Sequence, residues 1–147
     1  MSDTPVAFDQ INLIVENMDA TIAFYSRLGL CVPPASVWPP GSGARHTEVA
    51  MPNGVRLEFD NHEMVRIWHP DWIPRDGVTR AVLGFSLPSR EAVDARYAEL
   101  TSAGYFGRQP PHDAFWGARY AIVQDPDGNH VGLMSPKDPQ RQFTPVP

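Results

Sequence analysis

Met51-Pro52-Asn53-Gly54-Val55-Arg56-Leu57-Glu58-Phe59 and Asp125-Pro126-Asp127-Gly128-Asn129-His130-Val131-Gly132-Leu133 share one pattern. Each is a Pro-x-Gly turn that runs into an alternating strand. The order also recurs upstream of each turn. Ile11 to Val15 is a strand-like run, Asn17 is placed as a helix N-cap, and Met18 to Leu28 carries the apolar stripe Met18, Ile22, Tyr25 and Leu28 before Gly29. Leu83 to Leu87 is the second such strand. Ser89 is its cap, and the helix to about Ala103 carries Val93, Tyr97 and Leu100 before Gly104. Two further strands fit between each helix and its turn, at 31–38 and 44–51, then at 105–109 and 118–124.

The chain therefore reads as two tandem βαβββ modules, an α+β fold within one domain of 147 residues. Module 1 covers about 8–61 and module 2 about 80–135. Residues 62–79, with His62, Trp68, His69 and Trp72, show no clear period and read as a linker. Residues 136–147 read as an extended tail.

Composition narrows the function classes. With 42% hydrophobic and 20% charged residues, the chain has the make-up of a soluble globular protein. A net charge of -5 gives no basis for a nucleic-acid or anionic-membrane partner. No apolar run approaches the ~20 residues that span a bilayer. Cys31 is the single cysteine, so no intramolecular disulfide forms, and with no signal-like start the expected location is the cytoplasm. The 16 prolines cluster at Pro33-Pro34, Pro39-Pro40, Pro110-Pro111 and in the tail, marking loops and edges.

Met18-Asp19-Ala20-Thr21-Ile22-Ala23-Phe24-Tyr25 with Leu28-Gly29, and Asp125-Pro126-Asp127-Gly128-Asn129, resemble the first helix and final turn of the vicinal oxygen chelate superfamily, the glyoxalase/bleomycin resistance protein/dioxygenase family. The resemblance runs from about residue 8 to 135. It implies curved mixed sheets around a cup-shaped cavity, within one chain or exchanged across a dimer, and commonly a homodimer. The family includes metal-dependent lyases, isomerases and dioxygenases, and metal-free antibiotic-binding proteins. Its four metal-ligand positions fall here on Gln10, Glu58, Val82 and Gly132. Only Glu58 matches the usual His or Glu, so no cofactor is expected and a divalent metal is disfavoured.

Strand alternation gives the cavity lining. Glu58 and Arg56 face inward together, as do Gln10 and Asn12. A turn over Pro52-Asn53-Gly54 pairs Glu48 with Glu58 and Val49 with Leu57, turning His46 and Glu48 inward as well. Module 2 presents Val82, Gly84, Ser86, Tyr120, Ile122, Gln124, His130, Gly132 and Met134, a more neutral wall on which Gly84 and Gly132 leave room. Trp116 closes the loop before Tyr120 and is a candidate ligand contact.

The expected function is metal-free binding of an amphipathic small molecule, such as sequestration of an antibiotic, through Gln10, Asn12, Glu48, Arg56, Glu58, Trp116, Tyr120 and His130. The alternative is a lyase, isomerase or dioxygenase-like enzyme that uses His46, Glu48 and Glu58 for acid–base work or as a noncanonical metal site, with Glu58 and His46 as the catalytic candidates. An internally neutralised network, with Arg56 pairing a carboxylate, is the bland reading of the same cluster. His62, His69 and His112 read as surface loop residues.

Overall fold

The computed structural model describes residues 10–70, 72–74 and 81–145 and divides into two units, Met1–Arg75 and Asp76–Pro147. The expected start of module 1 at 8–9, its linker at 71 and 75–79, residue 80 and the tail end at 146–147 lie outside the described residues.

The first unit runs β1 (Gln10–Val15), α1 (Met18–Leu28), β2 (His46–Ala50), β3 (Arg56–Asn61) and α2 (His62–Trp68). Asn17 caps α1 by accepting from the Ala20 N–H, as its position before the apolar stripe requires. The sheet order is β1-β3-β2, with β1 parallel and β2 antiparallel to the central β3. The Pro52–Gly54 turn sets this register: Met51 N–H donates to Val55 O, Gly54 adopts a φ of 88°, and Glu48 is opposed to Glu58 and Val49 to Leu57. One face of the sheet is apolar. Phe59 is fully buried against Tyr25 of α1, ring centroids 5.0 Å apart, with Val15, Phe24 and Leu57 buried in the same core.

Two expectations for this half are corrected. Residues 31–38 form no strand beyond a single Val37–Arg45 bridge, so the first module has three strands. Pro33 and Pro34 have no N–H to donate to a ladder. Side chains hold the segment beside β2 instead: Thr47 Oγ1 donates to Pro33 O (2.8 Å) and Arg45 Nε to Ala35 O (2.9 Å). The stretch expected as a linker begins with a helix, α2, which follows β3 without a break. Asn61 caps it by accepting from the Met64 N–H, and Val65 is fully buried.

The second unit is a complete βαβββ module: β4 (Val82–Ser86), α3 (Arg90–Ser102), β5 (Gly107–Asp113), β6 (Arg119–Gln124) and β7 (His130–Met134). Its sheet order is β4-β7-β6-β5, with β4 and β7 parallel. Ser89 caps α3, and Val93 and Leu100 pack with Val123, Val131 and Leu133 in its core. Pro110 and Pro111 lie within β5. They are tolerated because β5 is an edge strand with register shifts on either side of Gln109. His112, expected in a loop, is therefore on this strand.

The tail is also corrected. Pro139–Arg141 forms a 3-10 turn, and the tail docks on its own unit: Asp138 N–H donates to Gly117 O and Phe143 N–H to Phe115 O. Gly117 permits this docking. It has a φ of 90°, and a Cβ there would stand 2.3 Å from the Asp138 carbonyl oxygen.

The fold is α+β, with two mixed sheets of three and four strands, three α-helices among the described residues, and no closed barrel. No described helix is long and apolar enough to cross a membrane.

Candidate functional site

The polar face of the first sheet is a grid set by strand register. Asn12 of β1, Glu58 of β3 and Glu48 of β2 form one row. Ile14, Asp60 and His46 form the next, and Gln10, Arg56 and Ala50 the row on the other side. Period-two alternation puts all nine residues on the same face, opposite Leu57 and Phe59.

The grid is tightly bonded on one side. Asp60, buried to 3% exposure, receives Asn12 Nδ2–H at 2.8 Å and Trp68 Nε1–H at 3.1 Å through Oδ2. Its Oδ1 lies 2.6 Å from His46 Nδ1. His46 Nε2 is turned toward the two glutamates, 3.4 Å from Glu48 Oε2 and 3.9 Å from Glu58 Oε1. Arg56 Nε lies 3.6 Å from Glu58 Oε2, and an Arg56 guanidinium N–H donates to Gln10 Oε1 at 3.0 Å.

Charge balance follows from this packing. Burial and the neighbouring Glu48 carboxylate push the Glu58 carboxyl above its ordinary value, against the pull of Arg56 and His46. Burial pushes the His46 imidazole down, but Asp60, with Glu48 and Glu58 behind it, more than offsets this and the net displacement is upward. Both groups hold a proton more tightly than they do at their ordinary values.

A cavity of about 620 Å³ opens on this face. Gln10, Asn12, His46, Glu58 and Asp60 give it polar groups. Trp38, Met64 and Trp68 add apolar surface, with Ser36 completing the lining. Trp38 and Trp68 are both exposed, at 66% and 53%.

The structure thus brings together six of the residues expected at the site: Gln10, Asn12, His46, Glu48, Arg56 and Glu58. Tyr120 and His130 lie on the second unit's sheet, and Trp116 lies in the turn between β5 and β6. There Trp116 Nε1–H donates to Met134 Sδ (3.2 Å) and its ring meets Tyr120 edge-on at 5.3 Å. Burial raises the Tyr120 phenol above its ordinary value. His130 is half-buried on β7, opposed to Gln124 and Val82.

Asp60 was not anticipated, and Trp68 was expected in the linker. Asp60 is the next alternate residue after Arg56 and Glu58, and extending β3 by one step beyond Phe59 finds it. Trp68 depended on seeing α2, whose sequence signal is the Asn61 cap. The room expected at Gly132 is also absent: a Cβ there would stand 2.7 Å from the Tyr120 hydroxyl, so the tyrosine ring occupies the space. Gly84 does leave open space, with nothing within 4 Å of a Cβ.

The same contact tests the family's metal-ligand set. Gln10 is neutral and exposed, Val82 has no donor atom, and Gly132 has no side chain and is covered by Tyr120. These residues with Glu58 do not fit a metal ion.

Comparison with curated proteins gives no match. Solved structures do match. A hypothetical protein from S. aureus aligns with a TM-score of 0.70 at 16% identity, covering 91% of this chain and 96% of that one. A glyoxalase/bleomycin resistance protein/dioxygenase from Nocardioides gives 0.68 at 21% identity, covering 93% and 87%. A family enzyme of the same description from Burkholderia phytofirmans PsJN gives 0.70 at 18%, covering 88% and 98%. At such identities the likeness is one of fold. The sequence model of one family, however, matches residues 7–133. The chain belongs to the glyoxalase/bleomycin resistance protein/dioxygenase superfamily.

Proposed function

We propose that this chain is a small-molecule binding protein that sequesters an amphipathic organic ligand, such as an antibiotic, in the cavity of its first unit. The observation that carries this reading is the cavity's mixed lining, with Trp38, Met64 and Trp68 beside His46, Glu58 and Asp60 around about 620 Å³. That volume is in the range that takes a drug-sized molecule, and a few placed polar groups beside aromatic surface suit a ligand with a planar apolar body. The binding does not use the superfamily's four-position metal centre, because Val82 and Gly132 supply no donor.

Tryptophan fluorescence titration against a panel of planar natural products tests this. The expected result is saturable quenching with one ligand per chain, weakened at least tenfold in W68A, and recovery of the ligand unchanged by mass spectrometry. Recovery of a converted product overturns sequestration. A homodimer belongs to the same proposal, and its mass in solution by light scattering checks it.

One observation favours a second reading, a lyase or isomerase. Asp60 fixes the His46 ring and aims Nε2 toward Glu58, which is the arrangement of an oriented general base. Turnover that is lost in H46N but retained in W68A would favour this reading over sequestration.

A further inference from the structure

We propose that the first unit carries a divalent transition-metal site of its own, formed by His46 Nε2, Glu48 Oε2 and Glu58 Oε1, at positions other than the superfamily's ligand set except for Glu58. The inference does not rest on the sequestration reading, since the metal alone is the ligand.

The donor atoms of His46, Glu48 and Glu58 all lie within 4.8 Å of one another. His46 Nε2 is 3.4 Å from Glu48 Oε2 and 3.9 Å from Glu58 Oε1. Donors at ~2.1 Å from a tetrahedral metal stand about 3.4 Å apart. Acceptors gathered at ~2.8 Å around an ammonium group stand about 4.6 Å apart. The two histidine–glutamate spacings match the metal better than the organic cation. The Glu48 side chain, 44% exposed, has the freedom to bring its carboxylate closer.

A second observation points to a ligand at this place. The Glu58 side chain is 10% exposed and lines the cavity, yet it makes no hydrogen bond among the described residues. Arg56 and His46 approach it only to 3.6 and 3.9 Å. Beside it in the same row, the buried Asn12 Oδ1 also has no hydrogen-bond partner. The sheet moreover holds Glu48 and Glu58 directly opposed, a like-charge pair that weakens strand pairing unless a cation sits between them.

Asp60 completes the arrangement. A carboxylate on Nδ1 holds the imidazole proton there and leaves the Nε2 lone pair for a metal, the outer-shell device common to metal-binding histidines. Two carboxylate oxygens and one imidazole nitrogen suit zinc or cobalt, with room for a further ligand from the open cavity.

The test is titration of chelator-treated protein with Zn²⁺ and Co²⁺ by calorimetry, with the visible spectrum of bound Co²⁺ as a second readout. Expected are one site per chain, an intense low-coordinate Co²⁺ spectrum, and affinity reduced roughly tenfold or more in E48Q, E58Q and D60N. E63Q, an exposed change on α2 outside the cluster, keeps the parent affinity. Because Glu48 is exposed, E48Q tests the site independently of E58Q. Absence of saturable binding, equal affinity in E48Q and the parent, or saturable binding of butylammonium with no binding of either metal overturns the proposal.

Discussion

His46 Nδ1 stands 2.6 Å from Asp60 Oδ1, and the two residues are directly opposed partners across β2 and β3. The contact is thus fixed by backbone register as well as by side-chain choice. Through it, one buried carboxylate organises an imidazole, an amide and an indole at once.

That convergence makes Asp60→Asn costly. The carboxylate serves His46, Asn12 and Trp68 with two acceptor oxygens, whereas an amide offers one. At least one buried donor loses its partner, at about 1–3 kcal/mol, read by urea denaturation. His46 then titrates closer to its ordinary value, followed by NMR of the ring protons. Unchanged stability together with an unchanged His46 titration contradicts the role given to Asp60.

Glu58→Gln is expected to stabilise the metal-stripped protein at neutral pH. The folded state holds the Glu58 proton more tightly than the unfolded chain does, because burial and Glu48 raise its value. Such a group favours folding below its unfolded value, and this contribution is lost as pH rises through the folded value. At pH 7 the ionised carboxylate is a net cost, which the isosteric amide removes. The thermal midpoint should rise by roughly 1–3 °C at pH 7, and the gain should vanish below about pH 4. A lower midpoint at pH 7 contradicts this.

Gly132→Ala and Gly84→Ala separate two glycines opposed to each other on β7 and β4. The first puts a methyl 2.7 Å from the Tyr120 hydroxyl and 3.1 and 3.2 Å from its ring, which also meets Trp116 edge-on at 5.3 Å. It should cost about 1–3 kcal/mol, and Tyr120→Phe in the same chain should recover part of that. Gly84→Ala meets nothing within 4 Å and should change stability by ~0.5 kcal/mol or less. Equal costs for the two would refute the packing described.

Gly117→Ala tests the docked tail. The added methyl meets the Asp138 backbone oxygen at 2.3 Å and requires a left-handed residue other than glycine. A loss of about 2 kcal/mol or more is expected, with faster proteolysis after Ser135. A variant as stable and as protease-resistant as the parent rules out this docking.

Local signals located most elements. Asn17 and Ser89 marked the starts of α1 and α3, and the Pro52–Gly54 turn gave the register that opposes Glu48 to Glu58. Local reading failed where contacts from elsewhere decide. Residues 31–38 read as a strand, but the side chains of Arg45 and Thr47 take over the bonding there. The prolines at 110 and 111 lie within a strand because it is the sheet edge, a property of strand order.

The sequence by itself determined the alternation that sends Gln10, Asn12, His46, Glu48, Arg56 and Glu58 to one face, because a strand's side chains have a period of two and the opposite face must be apolar. It also shows that Val82 and Gly132, where the resemblance places two of the superfamily's ligands, have no side-chain donor in any conformation. Only the tertiary structure decided that Asp60 meets His46, Asn12 and Trp68, that Tyr120 fills the space over Gly132, and that His46 Nε2 meets two carboxylates. Those outcomes depend on distances between residues far apart in the chain, and a periodic pattern fixes the direction of a side chain but not what it meets.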